Sequence, residues 1–308
     1  MFLNQKGLTQ QKLAEIFLSC VEGEQIPTFN ELQKVCKVGI GTIQAAIREF
    51  RQEGIIELQA QPRYGTILKS RDIGKLWSFL DKQYLTGLFP EPLSLEMQGL
   101  SMGLREAFRA IGIPLVIVYG YGSKVRFDRI LCENAKEDFV VSSLASAMEK
   151  RQENEMLDPV MRFGENSFYA AGSLVVLEKA GTEDAAAETL TVGCDASSYD
   201  HLLLTGHAFP KAKLTPVGYG EIPFVSLSGG LDRVVWHRNT TAVFPEKLVV
   251  CRPYQDMAVG LDIRPVCEAV LSIDRRQRML SEVIRHIDPS VVTDIQQKVL
   301  RREITPVF

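Results

Sequence analysis

KVGIGTIQAAIREFRQEGII, residues 37–56, reads as a helix that stops at Gly54 and runs into a strand. Ile43, Ile47 and Phe50 form one apolar stripe at helical spacing, Gly54 supplies a left-handed stop, and Gln44, Ala45 and Arg48 point away from the stripe. The start is the unusual part, because it opens Gly39, Ile40, Gly41 rather than with hydroxyls and arginines. The question is whether this is a reading helix with altered chemistry or an ordinary core helix.

Upstream, Leu13, Ile16, Phe17 and Cys20 recur at i, i+3, i+4 and i+7, the face of an amphipathic helix with Thr9 placed to cap it. Thr28 and Glu31 fit a capping box that opens a second, short helix ending near Cys36. Downstream, residues 55–58 and 65–68 read as two strands joined by a turn at Gln61-Pro62-Arg63-Tyr64. Three helices and a hairpin make a winged helix-turn-helix domain over residues 1–70. Between Lys34 and Arg71 there are seven Lys or Arg against three Glu, a local excess of positive charge in a chain whose formal net charge is −3.

The whole chain, 308 residues with 45% hydrophobic content, is long enough for more than one core. Its six cysteines contain no C-x-x-C pair, so neither a zinc site nor a disulfide framework is indicated, and no cofactor is expected. The first residues turn polar quickly, unlike a secretory signal, and no segment reaches the roughly 20 apolar residues needed to span a bilayer. A cytoplasmic protein without a membrane partner is expected.

Residues 71–93 carry Leu76, Trp77, Phe79, Leu80, Tyr84 and Leu85, too much apolar surface for a solvated linker. A packed helical connector is expected, which either docks on the following domain or, through Trp77, Phe79 and Leu80, offers a dimer contact. From 94 to 308 strands and helices alternate, which argues for an α/β domain. PLVIVY, 114–119, reads as a buried strand leading into Gly120-Tyr121-Gly122-Ser123. FVVSS, 139–143, ends on Ser142 and Ser143 before a helix, and LTVGC, 190–194, leads to Asp195-Ala196-Ser197-Ser198 before another. Glycines admit a ligand close to the backbone, and N–H groups at helix starts attract anions. The other reading of each junction is a tight turn or a plain N-cap.

Residues 26–68 resemble the winged helix of the GntR-type bacterial regulators. The resemblance rests on Ile26-Pro27-Thr28 with Glu31-Leu32, Val38, Thr42-Ile43, Ala46-Ile47-Arg48, Gln52 to Ile56, and Gly65-Thr66 in the wing. The GntR pattern has arginines between Phe29 and Glu31 and at the positions of Ile40 and Gln44; here all three are neutral. The basic and polar residues left to contact double-stranded DNA are Lys34, Lys37, Thr42, Gln44, Arg48, Arg63 and Tyr64. The whole chain resembles the YhfZ-type transcription factors. That resemblance implies a C-terminal domain of the two-lobed, type-two periplasmic-binding-protein fold, serving as a sensor. In such a fold strand-to-helix junctions from both lobes converge on one cleft.

Catalytic constellations are scarce: there is no G-x-S-x-G, H-E-x-x-H or Walker loop, and His201 and His207 fall on different helix faces. The expected protein is a homodimeric regulator, not an enzyme, whose C-terminal domain binds a small anionic effector. Its effector contacts would come from Gly120, Tyr121, Gly122, Ser123, Ser142, Ser143, Asp195, Ser197 and Ser198. Bulk at Gly122 is then expected to block access while the fold survives. Two other readings stay open: an α/β enzyme with a fused regulatory winged helix, and an interaction scaffold whose winged helix no longer binds DNA.

Overall fold

The computed structural model describes residues 4–307 except 63, 184, 186, 241 and 259. Helix α1 (Gln5–Ser19) starts a turn before the expected cap. The Asn4 side chain accepts from the Gly7 N–H at 2.9 Å, whereas the hydroxyl of Thr9, buried inside the helix, donates to the Gln5 carbonyl. Helix α2 (Phe29–Cys36) opens on the capping box: Glu31 Oε2 accepts from the Thr28 N–H at 2.7 Å, and Thr28 Oγ1 accepts from the Glu31 N–H at 3.4 Å. The Thr28 N–H, and with it the Thr28 hydroxyl donating to Oε2 at 2.8 Å, hold the Glu31 carboxyl below its ordinary range. Thr28→Ala is expected to cost about 1 kcal/mol, read as a lower denaturant midpoint at unchanged slope.

Lys37, in the left-handed region, turns the chain into α3 (Ile40–Gln52), which buries Ile43, Ala46, Ile47 and Phe50. Gly39 and Gly41 have ordinary φ, and a Cβ at either would meet nothing within 4 Å. Neither glycine is demanded by the turn. Strands β1 (Ile56–Gln61) and β2 (Gly65–Arg71) pair antiparallel as the wing. At the end of β2, Arg71 Nη1 donates to the Phe17 carbonyl at 2.6 Å and to that of Cys20, which closes the free carbonyl end of α1.

The connector differs from expectation. It holds one short helix, α4 (Ile73–Trp77), and then a strand, β3 (Leu85–Phe89), buried at every position and drawn into a sheet. Trp77 and Leu80 are buried within the chain, and Phe79 lies against Phe50 with ring centroids 5.0 Å apart. The apolar surface expected to serve a dimer is thus consumed internally.

Further along, α5 (Leu95–Ala110), β4 (Leu115–Tyr119), α6 (Ser123–Leu131), β5 (Phe139–Ser143), α7 (Leu144–Glu153) and β6 (Leu157–Arg162) alternate. They are followed by β7 (Leu174–Lys179), β8 (Thr191–Cys194), α8 (Tyr199–Ala208), β9 (Lys213–Pro216), α9 (Ile222–Leu227), β10 (Arg233–His237) and β11 (Val249–Pro253). Last come α10 (Tyr254–Met257), α11 (Arg264–Cys267), β12 (Ala269–Asp274), α12 (Arg278–Ile284) and α13 (Pro289–Leu300).

Two five-stranded sheets result, ordered β4-β3-β5-β12-β6 and β11-β7-β10-β8-β9. The chain leaves the first after β6 and returns after β11 to insert β12 between β5 and β6, antiparallel to both. This double crossing gives the two-lobed, periplasmic-binding-protein-like α/β architecture. Strand β4 lies at a sheet edge and leaves Val116 45% exposed, so it is less buried than its apolar run suggests. Leu88, Phe127, Ile130, Val140, Leu157 and Val270 form the core of the first lobe between its sheet and α6 and α7.

Contacts divide the chain into two compact units. One contains the winged helix together with residues 107–116 and 275–288, where α12 packs on α1 and Arg71 Nη2 meets His286 Nε2 at 3.1 Å. The other contains both lobes and α13.

Candidate functional site

On the winged helix, Thr42, Gln44 and Arg48 are exposed around the side of α3 away from its buried stripe, and Lys34 and Lys37 before it are exposed too. Tyr64 at the wing tip is 72% exposed. Arg63 lies outside the described residues. The exposed residues together supply two lysines, one arginine, two hydroxyl groups and one amide, chemistry able to contact phosphates and base edges.

Between the two lobes the loops after β4 and β8 meet around a cavity of about 70 Å³. Gly120, Tyr121, Gly122, Ser123, Asp195 and Ser198 line it; Ser142, Ser143 and Ser197 do not. Ser142 is fully buried and donates to the Ser143 carbonyl at 2.9 Å. Ser143 caps α7 by accepting from the Ser146 N–H at 3.0 Å, and Ser198 caps α8 by accepting from the His201 N–H at 3.3 Å. Ser197 Oγ donates to Asp195 Oδ1 at 2.6 Å.

The helix starts do converge, but they satisfy one another. The Lys124 N–H donates to the Ser197 carbonyl at 3.0 Å, the Tyr199 N–H to Ser123 Oγ at 3.0 Å, and the Ser143 hydroxyl to Asp200 Oδ1 at 2.7 Å. Donors expected to face a ligand therefore join α6 and α7 of one lobe to α8 of the other. Gly122 sits at this seam with φ +55°. A Cβ there would come within 2.5 Å of Ser197 Cβ and 2.8 Å of its carbonyl oxygen.

The positive charge at the cavity comes from Arg126. Only 5% exposed, it donates from Nη1 to the Gly120 carbonyl at 3.0 Å, while its Nε is buried without a partner. No carboxylate of the described residues pairs with it. Burial draws its pKa down to about 10 against the pull of Asp200, Tyr169 and Asp195, so it remains a cation at neutral pH. Asp200, also on the wall and 5% exposed, is pushed the other way: burial raises its carboxyl to about 6, against hydrogen bonds from Ser143 and Ser146 and the charge of Arg126.

The two histidines of the wall are fixed by their bonds. His201 Nδ1 accepts from the Asp195 N–H at 2.7 Å, which leaves Nε2–H to donate to the Val235 carbonyl at 3.0 Å. His237 Nε2 faces the Leu93 carbonyl at 3.3 Å and so carries the proton; Nδ1 accepts from the Tyr219 hydroxyl at 2.8 Å. Burial lowers both, His237 to about 4, so both are neutral at pH 7.

Arg126 and Asp200 escaped the sequence reading, although a signal was present. Ser123, Arg126, Phe127 and Ile130 recur at i, i+3, i+4 and i+7, which puts a charge on the buried face of α6. Asp200, His201, Leu204 and Thr205, at i, i+1, i+4 and i+5, likewise put a charge on the buried face of α8. A charge on an apolar helix face calls for a partner or a ligand.

Residues 72–308 match the family model of the YhfZ C-terminal domain, and residues 21–68 match that of a helix-turn-helix domain. Protein YhfZ of Escherichia coli strain K12 is 26% identical over 239 residues, which cover 77% of this chain and 76% of that protein. The crystal structure of YhfZ from Shigella flexneri superposes with a TM-score of 0.57 at 22% identity, covering 76% of this chain and 97% of that one. A ligand-binding component of an ABC-type import system from Staphylococcus aureus gives a TM-score of 0.46 at 11% identity over 70% of this chain and 84% of that one. Among the described residues no helix is long and apolar enough to cross a membrane.

Proposed function

This chain belongs to the family defined by the YhfZ C-terminal domain, and from that premise we propose a transcriptional regulator whose GntR-like winged helix binds DNA and whose two-lobed domain senses a small molecule with an anionic group. Arg126 carries the sensing half of this reading. A buried guanidinium on a cavity wall without a carboxylate partner is costly unless an anion completes it. Sensing rather than turnover is favoured because His201 and His237 are neutral and bonded through both ring nitrogens. The regulator would act in the cytoplasm as a homodimer on two half-sites. Effector would bias DNA affinity only as far as it prefers one arrangement of the lobes.

Thermal shift against a panel of small carboxylates and phosphates tests the sensor. A compound at a hundred times its Kd stabilises the protein by about 2.7 kcal/mol, and that gain should vanish in Arg126→Gln. Stabilisers that all lack an acidic group, or an unchanged response in the variant, would sink the proposal. For the reader, retention of the DNA upstream of its own gene should weaken in Arg48→Ala, with a salt slope reduced by about one unit if that residue contacts phosphate. Unaltered retention across a salt series would favour the scaffold reading of the winged helix. Light scattering that returns the single-chain mass of 34.4 kDa at micromolar concentration would remove the dimer.

A further inference from the structure

The cavity wall carries charges of both signs that do not neutralise each other. Arg126 and Asp200 both line it, both are 5% exposed, and no ion pair joins them. The remaining polar groups are largely committed. His201 and His237 use both ring nitrogens. Asp195 accepts from Ser197 on Oδ1 and from the Tyr219 N–H at 3.3 Å on Oδ2. Ser123 Oγ takes the Tyr199 N–H and the Ser146 hydroxyl, and Ser198 caps α8. What is left is a cationic fork without an anion and, across the same space, a carboxyl held only by the serine hydroxyls of α7 and its cap. Half-buried Glu91 adds a third acidic group, after Asp195 and Asp200, on that wall.

We propose that the effector is a compact amino-carboxylate, its carboxylate on Arg126 and its protonated amine on Asp200. This rests on the sensor reading above and narrows it. A simple acid would satisfy Arg126 but bring a second negative charge beside Asp200 and Glu91; an amino acid satisfies both poles at once. Aliphatic and aromatic wall residues, Met97, Phe168 and Leu174 among them, leave room for only a short side chain in about 70 Å³.

The two ligand classes move protons in opposite directions. An amine beside Asp200 favours its ionised form, so binding near pH 6 releases protons; an acid without an amine favours the neutral form, so binding takes protons up. Arg126, Asp195, Glu91, Tyr169, Tyr219, Glu96 and Cys267 are the other ionisable groups in the field of this region, and His201 and His237 are neutral within it. Calorimetry at pH 6 in two buffers of different ionisation enthalpy would compare alanine with propionate and aspartate with succinate. The amino-carboxylate is expected to bind the wild type roughly ten- to hundredfold more tightly than its partner, with proton release. Asp200→Asn, which keeps an acceptor for Ser143, should level the pair. Equal or tighter binding of the des-amino acid, proton uptake with the amino acid, or no binding by any of the four overturns this proposal. Loss of all response to carboxylates and phosphates in the wider panel would overturn the sensor reading as well; a des-amino acid that binds only when Arg126 is intact would leave that reading standing.

Discussion

Gly122→Val is expected to destabilise the two-lobed unit by about 2–5 kcal/mol, rather than merely shut ligand out of an intact domain. At φ +55° a β-branched residue occupies a backbone region that costs of order 1–3 kcal/mol. Its side chain would also drive into the Ser197 side chain and carbonyl at the joint between the lobes, an overpacking cost of typically 1–3 kcal/mol. The sequence alone suggests an open glycine loop, where bulk obstructs a path; the coordinates show a glycine that permits two helix starts to touch. Urea unfolding distinguishes these pictures. A variant as stable as the wild type that has lost its ligand response would restore the obstructed-path picture. Ser198→Ala, which loses only a helix cap, should cost about 1 kcal/mol by comparison.

Asp200→Asn is expected to stabilise the ligand-free protein at pH 7 by on the order of 1–3 kcal/mol and to change nothing at pH 3. The carboxyl titrates near 6 in the folded protein because burial penalises its charge, against an ordinary value of 3.8. Each unit is worth 1.36 kcal/mol. Since the folded value is the higher one, the stability associated with the neutral acid is fully present below pH 4 and is lost as pH rises through about 6. Asparagine has no charge to bury, so the variant's advantage should grow across that window and level off above it. Lost attraction to Arg126 offsets part of the gain. Equal stability of the two proteins at pH 7 would mean that Asp200 carries no burial penalty. A gain here together with weakened ligand response would mark a residue kept for binding at the expense of stability.

The parts of the chain legible from sequence are those whose signals are local. The capping box at Thr28 and Glu31, the apolar stripe of α3 and the strand pair after Gly54 depend on neighbours within a few positions, and each forms. Thr9 fails as a cap because Asn4, one turn earlier, offers an equivalent acceptor. Strand β3 hides in a connector because Leu85 to Phe89, buried throughout, has no alternation to separate it from a buried helix. The cavity depends on long-range pairing. Tyr199 meets Ser123 across 76 positions and Asp200 meets Ser143 across 57, and those contacts decide which donors are consumed and which charges remain. Periodicity offered a signal for Arg126 and Asp200 on buried helix faces that the reading did not use, and only the folded topology puts them on one wall.

The packing of α12 on α1 has a consequence for biosynthesis. The face of α1 that α12 covers is made well before its cover, because α12 follows β12, the strand that completes the first lobe. On the ribosome that face waits for its cover until β12 and α12 have emerged. A chain stopped short, or a fragment cut at residue 70, presents the winged helix with this surface bare. Such a fragment is expected to aggregate or to associate with chaperones rather than to occupy operators. The winged helix is thus completed only by residues that follow both sheets in sequence.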